Sequence, residues 1–125
     1  MMKHEDLTGK IIDAAMKVHS VLGPGLLESA YEACLLFELG KGGLRAARQV
    51  ELPVVYENVK IDAGYRIDLL VEDEVVVELK SVEQLLPIHQ AQLLSYLKLS
   101  GKQVGLLINF NVVHLKDGLK RMVNS

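Results

Sequence analysis

Cysteine is almost missing from these 125 residues: Cys34 stands alone. That excludes a disulfide framework and a thiolate zinc cluster. Set in an apolar helical stretch, Cys34 reads as a small core residue. Long hydrophobic runs are missing too. None exceeds five residues, so no transmembrane span fits. The N-terminal stretch MMKHEDLTGK is polar and has no apolar signal region, which makes a cytoplasmic location the expectation. An excess of positive charge is also lacking: 14 basic and 16 acidic side chains leave a net charge of −2. Global charge therefore gives nucleic-acid binding no help, and such binding needs local basic patches or a metal. There is no P-loop, no GxGxxG, no Ser-His-Asp order and no zinc-ligand spacing.

What is there is ordinary for a globular chain, half hydrophobic and about a quarter charged. The length suits one domain, residues 1–125. Thr8 is placed to cap a first helix running to about Leu22, with His19 on its surface. Gly23-Pro24-Gly25 breaks the chain. A second helix is expected from Leu26 to Leu39, with Gly25 as its cap and Gly40 as its stop. Residues 45–56 alternate as a strand, and Pro53 points to an edge or a bulge. Glu57 to Lys60 reads as a turn. A third helix follows Pro87 and ends at Gly101. Gln103 to Phe110 is a continuous apolar strand, buried on both sheet faces. A short helix interrupted by Gly118 is expected over 115–123. The order ααβββαβα describes an α+β or mixed α/β fold around a roughly four-stranded sheet.

The most informative stretch is Tyr65 to Lys80. Alternation gives two strands around the acidic turn Glu72-Asp73-Glu74. Ile67, Leu69, Val71, Val75, Val77 and Leu79 form one apolar face. Arg66, Asp68, Leu70, Val76, Glu78 and Lys80 form the other. A turn centred on Asp73 sets Leu70 opposite Val76 and Asp68 opposite Glu78, with β-carbons about 5 Å apart. Like charges that close are unfavourable unless a cation lies between them. Two carboxylates joined by the Leu79 main-chain carbonyl offer hard oxygen ligands suited to Mg²⁺. Lys80, on the same strand face as Glu78, can orient a water or stabilise developing charge. The same pattern also fits a solvated strand face with cross-strand ion pairing.

Two further pairs belong beside it. Gln92 and Tyr96 are four apart on one helix face, with His89 a turn earlier. They suit a nucleic-acid backbone, a phosphate or a metal-bound water, and equally an amphipathic boundary. Glu28 and Tyr31 are three apart. Glu28 also reads as a residue of a helix's first turn, and Tyr31 as a core residue with its hydroxyl satisfied at the rim.

Together these segments resemble the GxxExxY family, a small branch of the PD-(D/E)XK nuclease superfamily, over roughly Leu7 to Val123. The match is carried by GLLESAY at Gly25–Tyr31, YRIDLLV at Tyr65–Val71 and VELK at Val77–Lys80. It continues in LPIHQAQLLSYLK at Leu86–Lys98 and VGLLINF at Val104–Phe110. The resemblance implies a restriction-endonuclease-like core, a central mixed sheet flanked by helices. It implies Asp68 and Glu78 as ligands of Mg²⁺ or Mn²⁺, Lys80 as the catalytic lysine, and Glu28 as an acid completing the metal's surroundings. Gln92 and Tyr96 match the QxxxY helix of RecB-like members. Ile67 stands where many relatives carry proline before the first acid.

The expected function is metal-dependent hydrolysis of DNA or RNA phosphodiesters, with Glu28, Gln92 and Tyr96 converging on the face that carries Asp68 and Glu78. The alternative is a non-catalytic interaction or dimerisation module of the same fold. Leu93, Leu94, Leu97 and Leu99, on several sides of one helix, make a homodimer plausible.

Overall fold

The strand pair in the middle of the chain lies inside a five-stranded sheet. In the computed structural model, which describes residues 4–124, the chain runs α1 (Glu5–Leu22), α2 (Glu28–Lys41), β1 (Ala46–Glu51), β2 (Val54–Tyr56), β3 (Val59–Ile61), β4 (Arg66–Val71) and β5 (Val75–Lys80). It continues through α3 (Pro87–Ser100), β6 (Val104–Asn109), a 3₁₀ turn (Leu115–Gly118) and β7 (Leu119–Val123). Met1 to Lys3 of the polar N-terminal stretch, and Ser125, lie outside the described residues. The sheet order is β1-β4-β5-β6-β7, antiparallel except for the parallel β5–β6 pair that α3 connects. Mixed sheet and flanking helices match the expected restriction-endonuclease-like architecture.

The helices divide by face. Ile11, Ala15 and Val18 of α1 and Tyr31, Leu35 and Leu39 of α2 pack on Leu69, Val71, Val75, Val77, Leu79, Leu106 and Ile108. On the opposite face Leu93, Tyr96 and Leu97 of α3 cover Ile67, Val76 and Leu107. β6 thus supplies both cores, as its continuous apolar run requires. Leu93 and Leu97 are wholly buried there. Leu94 is half-buried and Leu99 exposed, so the α3 leucines are divided between core and surface.

Several elements differ from the sequence expectation. Residues 119–123 form a strand, not a helix. β6 is apolar on both faces and interior to the sheet, so its second edge needs a hydrogen-bonding neighbour, and β7 takes that place from Leu119↔Ile108 to Val123↔Val104. The sheet has five strands rather than four. The expected strand 45–56 breaks at Leu52-Pro53, and β2 instead pairs with β3 as a separate hairpin. Its turn is only Glu57-Asn58, both left-handed (φ 49° and 66°), which matches the sheet's twist in a two-residue loop.

Thr8 does not cap α1: the helix starts earlier, and the Thr8 hydroxyl donates to the Glu5 carbonyl within it. His19 is buried, with its Nε2 donating to the Val112 carbonyl at 2.7 Å. The cap of α2 is Leu27 rather than Gly25, which makes Glu28 the first helical residue, and the helix passes Gly40 to end at Lys41. α3 has the limits its flanking Pro87 and Gly101 indicate, and His89 closes its start by accepting the Leu86 amide at Nδ1.

Candidate active site

The turn between β4 and β5 is centred on Asp73, giving Val71↔Val75, Leu70↔Val76 and Leu69↔Val77. Beyond Leu69 the main-chain ladder opens, and side chains take over its hydrogen bonds. The Asp68 amide donates to Glu78 Oε2, and the Leu79 amide donates to Asp68 Oδ2, both at 2.8 Å. Each carboxylate is therefore fastened to the other's strand, at the end of the sheet where β4 begins and β5 ends.

Opposite this fork, β1 is distorted. Arg48 pairs with Leu69 and Val50 with Ile67, but Gln49 falls between them at φ 51°. A left-handed glutamine within a strand costs on the order of 1 kcal/mol. Its carboxamide donates to Glu32 Oε1 at 2.9 Å and to Asp68 Oδ1 at 3.4 Å. The alternation of β4 slips at the same point: Leu69 belongs to the α1–α2 core, while Ile67 joins the α3 core beside Val76. The expected single face holding both Ile67 and Leu69 does not exist. Asp68 lies in the slip, half-buried, where its carboxylate reaches Gln49.

Around the fork the expected site residues divide into two groups. Glu28 and Asp68 line a cavity of about 240 Å³ together with Glu32, Gln49 and Leu79. Lys80, Gln92 and Tyr96 line a separate cavity of about 610 Å³ on the α3 face. Glu28 therefore approaches the fork from the α2 face of the sheet, and Gln92 and Tyr96 approach it from the α3 face. Glu78, 5 % exposed, is linked electrostatically to both groups. The charges of Asp68 and Glu28 raise its pKa, and its own charge raises that of Tyr96.

Burial dominates the electrostatics. Desolvation, with the Asp68 charge second, pushes the Glu78 carboxyl up from 4.5 to about 8. Burial likewise raises Asp68, against the Leu79 amide bond and the Lys80 charge, which lower it. Tyr96 is raised by burial and then by the two carboxylates, and it accepts a bond from Gln92 Nε2 at 3.3 Å. Lys80 lowers the pKa of both acids through space, so it is the cation the fork itself supplies.

The Gly25–Tyr31 segment holds this end of the sheet together. Gly25 has φ +97°, open to glycine and strained for other residues. Tyr31 is wholly buried and stacked on Phe110, with ring centroids 4.4 Å apart. Its hydroxyl donates to the Gly23 carbonyl at 2.6 Å and accepts the Leu26 amide at 3.1 Å. The Ser81 hydroxyl donates to the Leu26 carbonyl, and the Ser81 amide donates to Glu28 Oε2 at 3.3 Å. The start of α2 is thereby tied to the residue following Lys80.

Two residues of this neighbourhood were not singled out from the sequence. Glu32, 6 % exposed, follows Glu28 by four and so shares its helix face, a spacing that could have found it. Its second oxygen lies 3.6 Å from Arg48. Gln49 carries no local signal, since a left-handed residue in a strand is imposed by its surroundings. The oxygen-only donor set suits a hard divalent cation. Among the described residues no three His, Cys, Asp or Glu side chains form a group able to hold a metal ion. A cation at the fork would therefore share its shell with main-chain, water or substrate oxygens, as Mg²⁺ commonly does.

Among the described residues, no helix is long and apolar enough to cross a membrane. A family model described as the PD-(D/E)XK nuclease superfamily matches residues 5–122. No curated protein and no solved structure matches the chain.

Proposed function

The chain belongs to the PD-(D/E)XK nuclease superfamily, and from that premise we propose that it is a metal-dependent phosphodiester hydrolase acting on DNA or RNA in the cytoplasm. Within the superfamily we assign it to the GxxExxY branch, with the QxxxY helix of RecB-like members. The observation that carries the reading is the fork at which Asp68 and Glu78 replace ladder hydrogen bonds beside Lys80. Superfamily nucleases generally use divalent metals, and here Asp68, Glu78 and the Leu79 main-chain carbonyl would hold Mg²⁺ or Mn²⁺, with Glu28 nearby. When bound, the ion supplies a Lewis acid for a phosphoryl oxygen and a water of lowered pKa.

The chain's own groups do the rest. The Leu79 amide and the Gln49 carboxamide orient Asp68. The Lys80 ammonium stabilises negative charge developing on the phosphate. Gln92 and Tyr96 hold the strand being cut. Without a cation Glu78 keeps its proton at neutral pH and the Asp68 carboxylate opposes a polyanion, so binding and cleavage both depend on divalent metal. Asp68→Ala and Lys80→Ala are expected to abolish cleavage of oligonucleotides in Mn²⁺ while retaining the circular dichroism of the wild type. Cleavage at the wild-type rate by either variant refutes the assignment.

A second reading, a non-catalytic interaction or dimerisation module, draws on the β2–β3 hairpin, where Val55, Tyr56, Val59 and Ile61 are all exposed. Calorimetric titration with Mg²⁺ and Mn²⁺ separates the two readings. Absence of binding, with no difference between wild type and Glu78→Gln, favours the module.

A further inference from the structure

The cavity of about 610 Å³ on the α3 face has a composition that phosphate chemistry alone does not call for. Tyr65 lines it and is 45 % exposed. The ring is held edge to face against the buried Tyr96, with centroids 6.0 Å apart and planes at 60°. That contact limits how the exposed ring can turn, which lowers the entropy lost when a flat ligand stacks on it. Ile88 and Leu99, both exposed, supply apolar walls. Gln92 donates through Nε2 to Tyr96, and a carboxamide has a second hydrogen and a carbonyl oxygen with which to read a polar edge. Lys80 lines the same cavity, so a group seated there lies next to the acids of the fork.

A half-exposed aromatic ring, apolar walls, a carboxamide and one ammonium match a nucleotide whose base is unstacked. The volume falls in the range of small-molecule sites, room enough for a nucleoside. Charge points the same way. With a net charge of −2, the chain gains little from tracking phosphates, whereas stacking a base on an aromatic ring contributes about 1–3 kcal/mol. Resting on the nuclease reading, we infer that this cavity binds one unpaired nucleobase, stacked on Tyr65, from the nucleotide adjoining the scissile phosphate. The preferred substrate is then a single-stranded or unpaired segment, because a closed duplex keeps its bases stacked on one another and must expend energy to release one.

The test uses the full chain with single-stranded DNA and RNA oligonucleotides, each carrying one 2-aminopurine, and with the matching duplexes in Mn²⁺. Wild type is expected to cleave single strands at least about tenfold faster than duplex. Tyr65→Ala is expected to raise KM for single strands by roughly 5- to 150-fold, the stacking term expressed as a ratio, with kcat changed little. Tyr65→Phe, which keeps the ring, should behave as wild type. Equal cleavage of single strands and duplex, or an unchanged KM in Tyr65→Ala, overturns the inference while leaving the nuclease reading intact. Absence of all cleavage instead defeats the nuclease reading, and 2-aminopurine fluorescence then decides the cavity on its own. A change on adding wild type that Tyr65→Ala does not produce supports base binding there. No change with wild type, or the same change with both proteins, overturns it.

Discussion

Glu78→Gln should make this protein more stable at high pH while removing its proposed activity. The Glu78 carboxyl is 5 % exposed and is raised from 4.5 to about 8 by burial and then by the Asp68 charge. Below pH 4.5 it is protonated in both folded and unfolded chains. Between 4.5 and about 8 the unfolded chain has released this proton and the folded chain keeps it, so stability falls as pH rises. The full gap, at about 1.4 kcal/mol for each pH unit, is worth up to about 5 kcal/mol. Water entering the neighbouring cavities reduces this to a few kcal/mol. Glutamine is neutral throughout, and its side-chain oxygen can still accept the Asp68 amide. The two proteins should therefore agree within about 1 kcal/mol near pH 5 and differ by about 3 kcal/mol near pH 9, a shift in Tm of roughly 10 °C for a domain of this size. Urea unfolding followed by circular dichroism across that range measures it. Millimolar Mg²⁺ or Mn²⁺ at high pH should restore wild type and leave the variant unmoved. Parallel pH profiles for the two proteins would refute the account of Glu78 as a buried acid kept from ionising.

Gln49→Gly should be more stable than Gln49→Ala by about 1 kcal/mol in urea midpoint, because both lose the Glu32 and Asp68 bonds but only glycine relaxes the left-handed backbone. Equal stability would mean that position 49 carries no strain. Tyr31→Phe keeps the stack on Phe110 and removes the hydroxyl that holds Gly23 and Leu26. A loss of about 1–3 kcal/mol is expected, with faster amide exchange at Leu26. In Gly105→Ala, the new methyl would lie 2.8 Å from Leu93 Cδ1 in a fully packed core. The cost is about 1–3 kcal/mol, and a double-mutant cycle with Leu93→Val should recover part of it.

The expectations that held rest on local rules. The centre of the β4–β5 turn follows from alternation alone, because a register shifted by one residue would mix polar and apolar faces. α3 is bounded by Pro87 and Gly101, which act on their own backbone. β6 is legible because a strand buried on both faces must be apolar at every position. The expectations that failed concern residues whose conformation depends on distant partners. Leu119 to Val123 forms a strand because β6 needs a second neighbour. In Gly118 a β-carbon would collide with the Asn109 carbonyl oxygen, which makes that glycine a close-packing point rather than a helix interruption.

The same division runs through the candidate site. Residue order by itself determined that Asp68 and Glu78 lie across one hairpin with Lys80 beside them, since strand pairing and side-chain alternation are short-range consequences of the sequence. Only the tertiary structure decided where the carboxylates go. The ladder opens opposite a left-handed Gln49, the face of β4 slips between Ile67 and Leu69, and α2 and α3 lie on opposite sides of the sheet. Glu28 therefore faces one cavity and Gln92 and Tyr96 another, with Glu78 electrostatically linked to both. No pattern in the chain encodes that separation, because it arises from which helix covers which face.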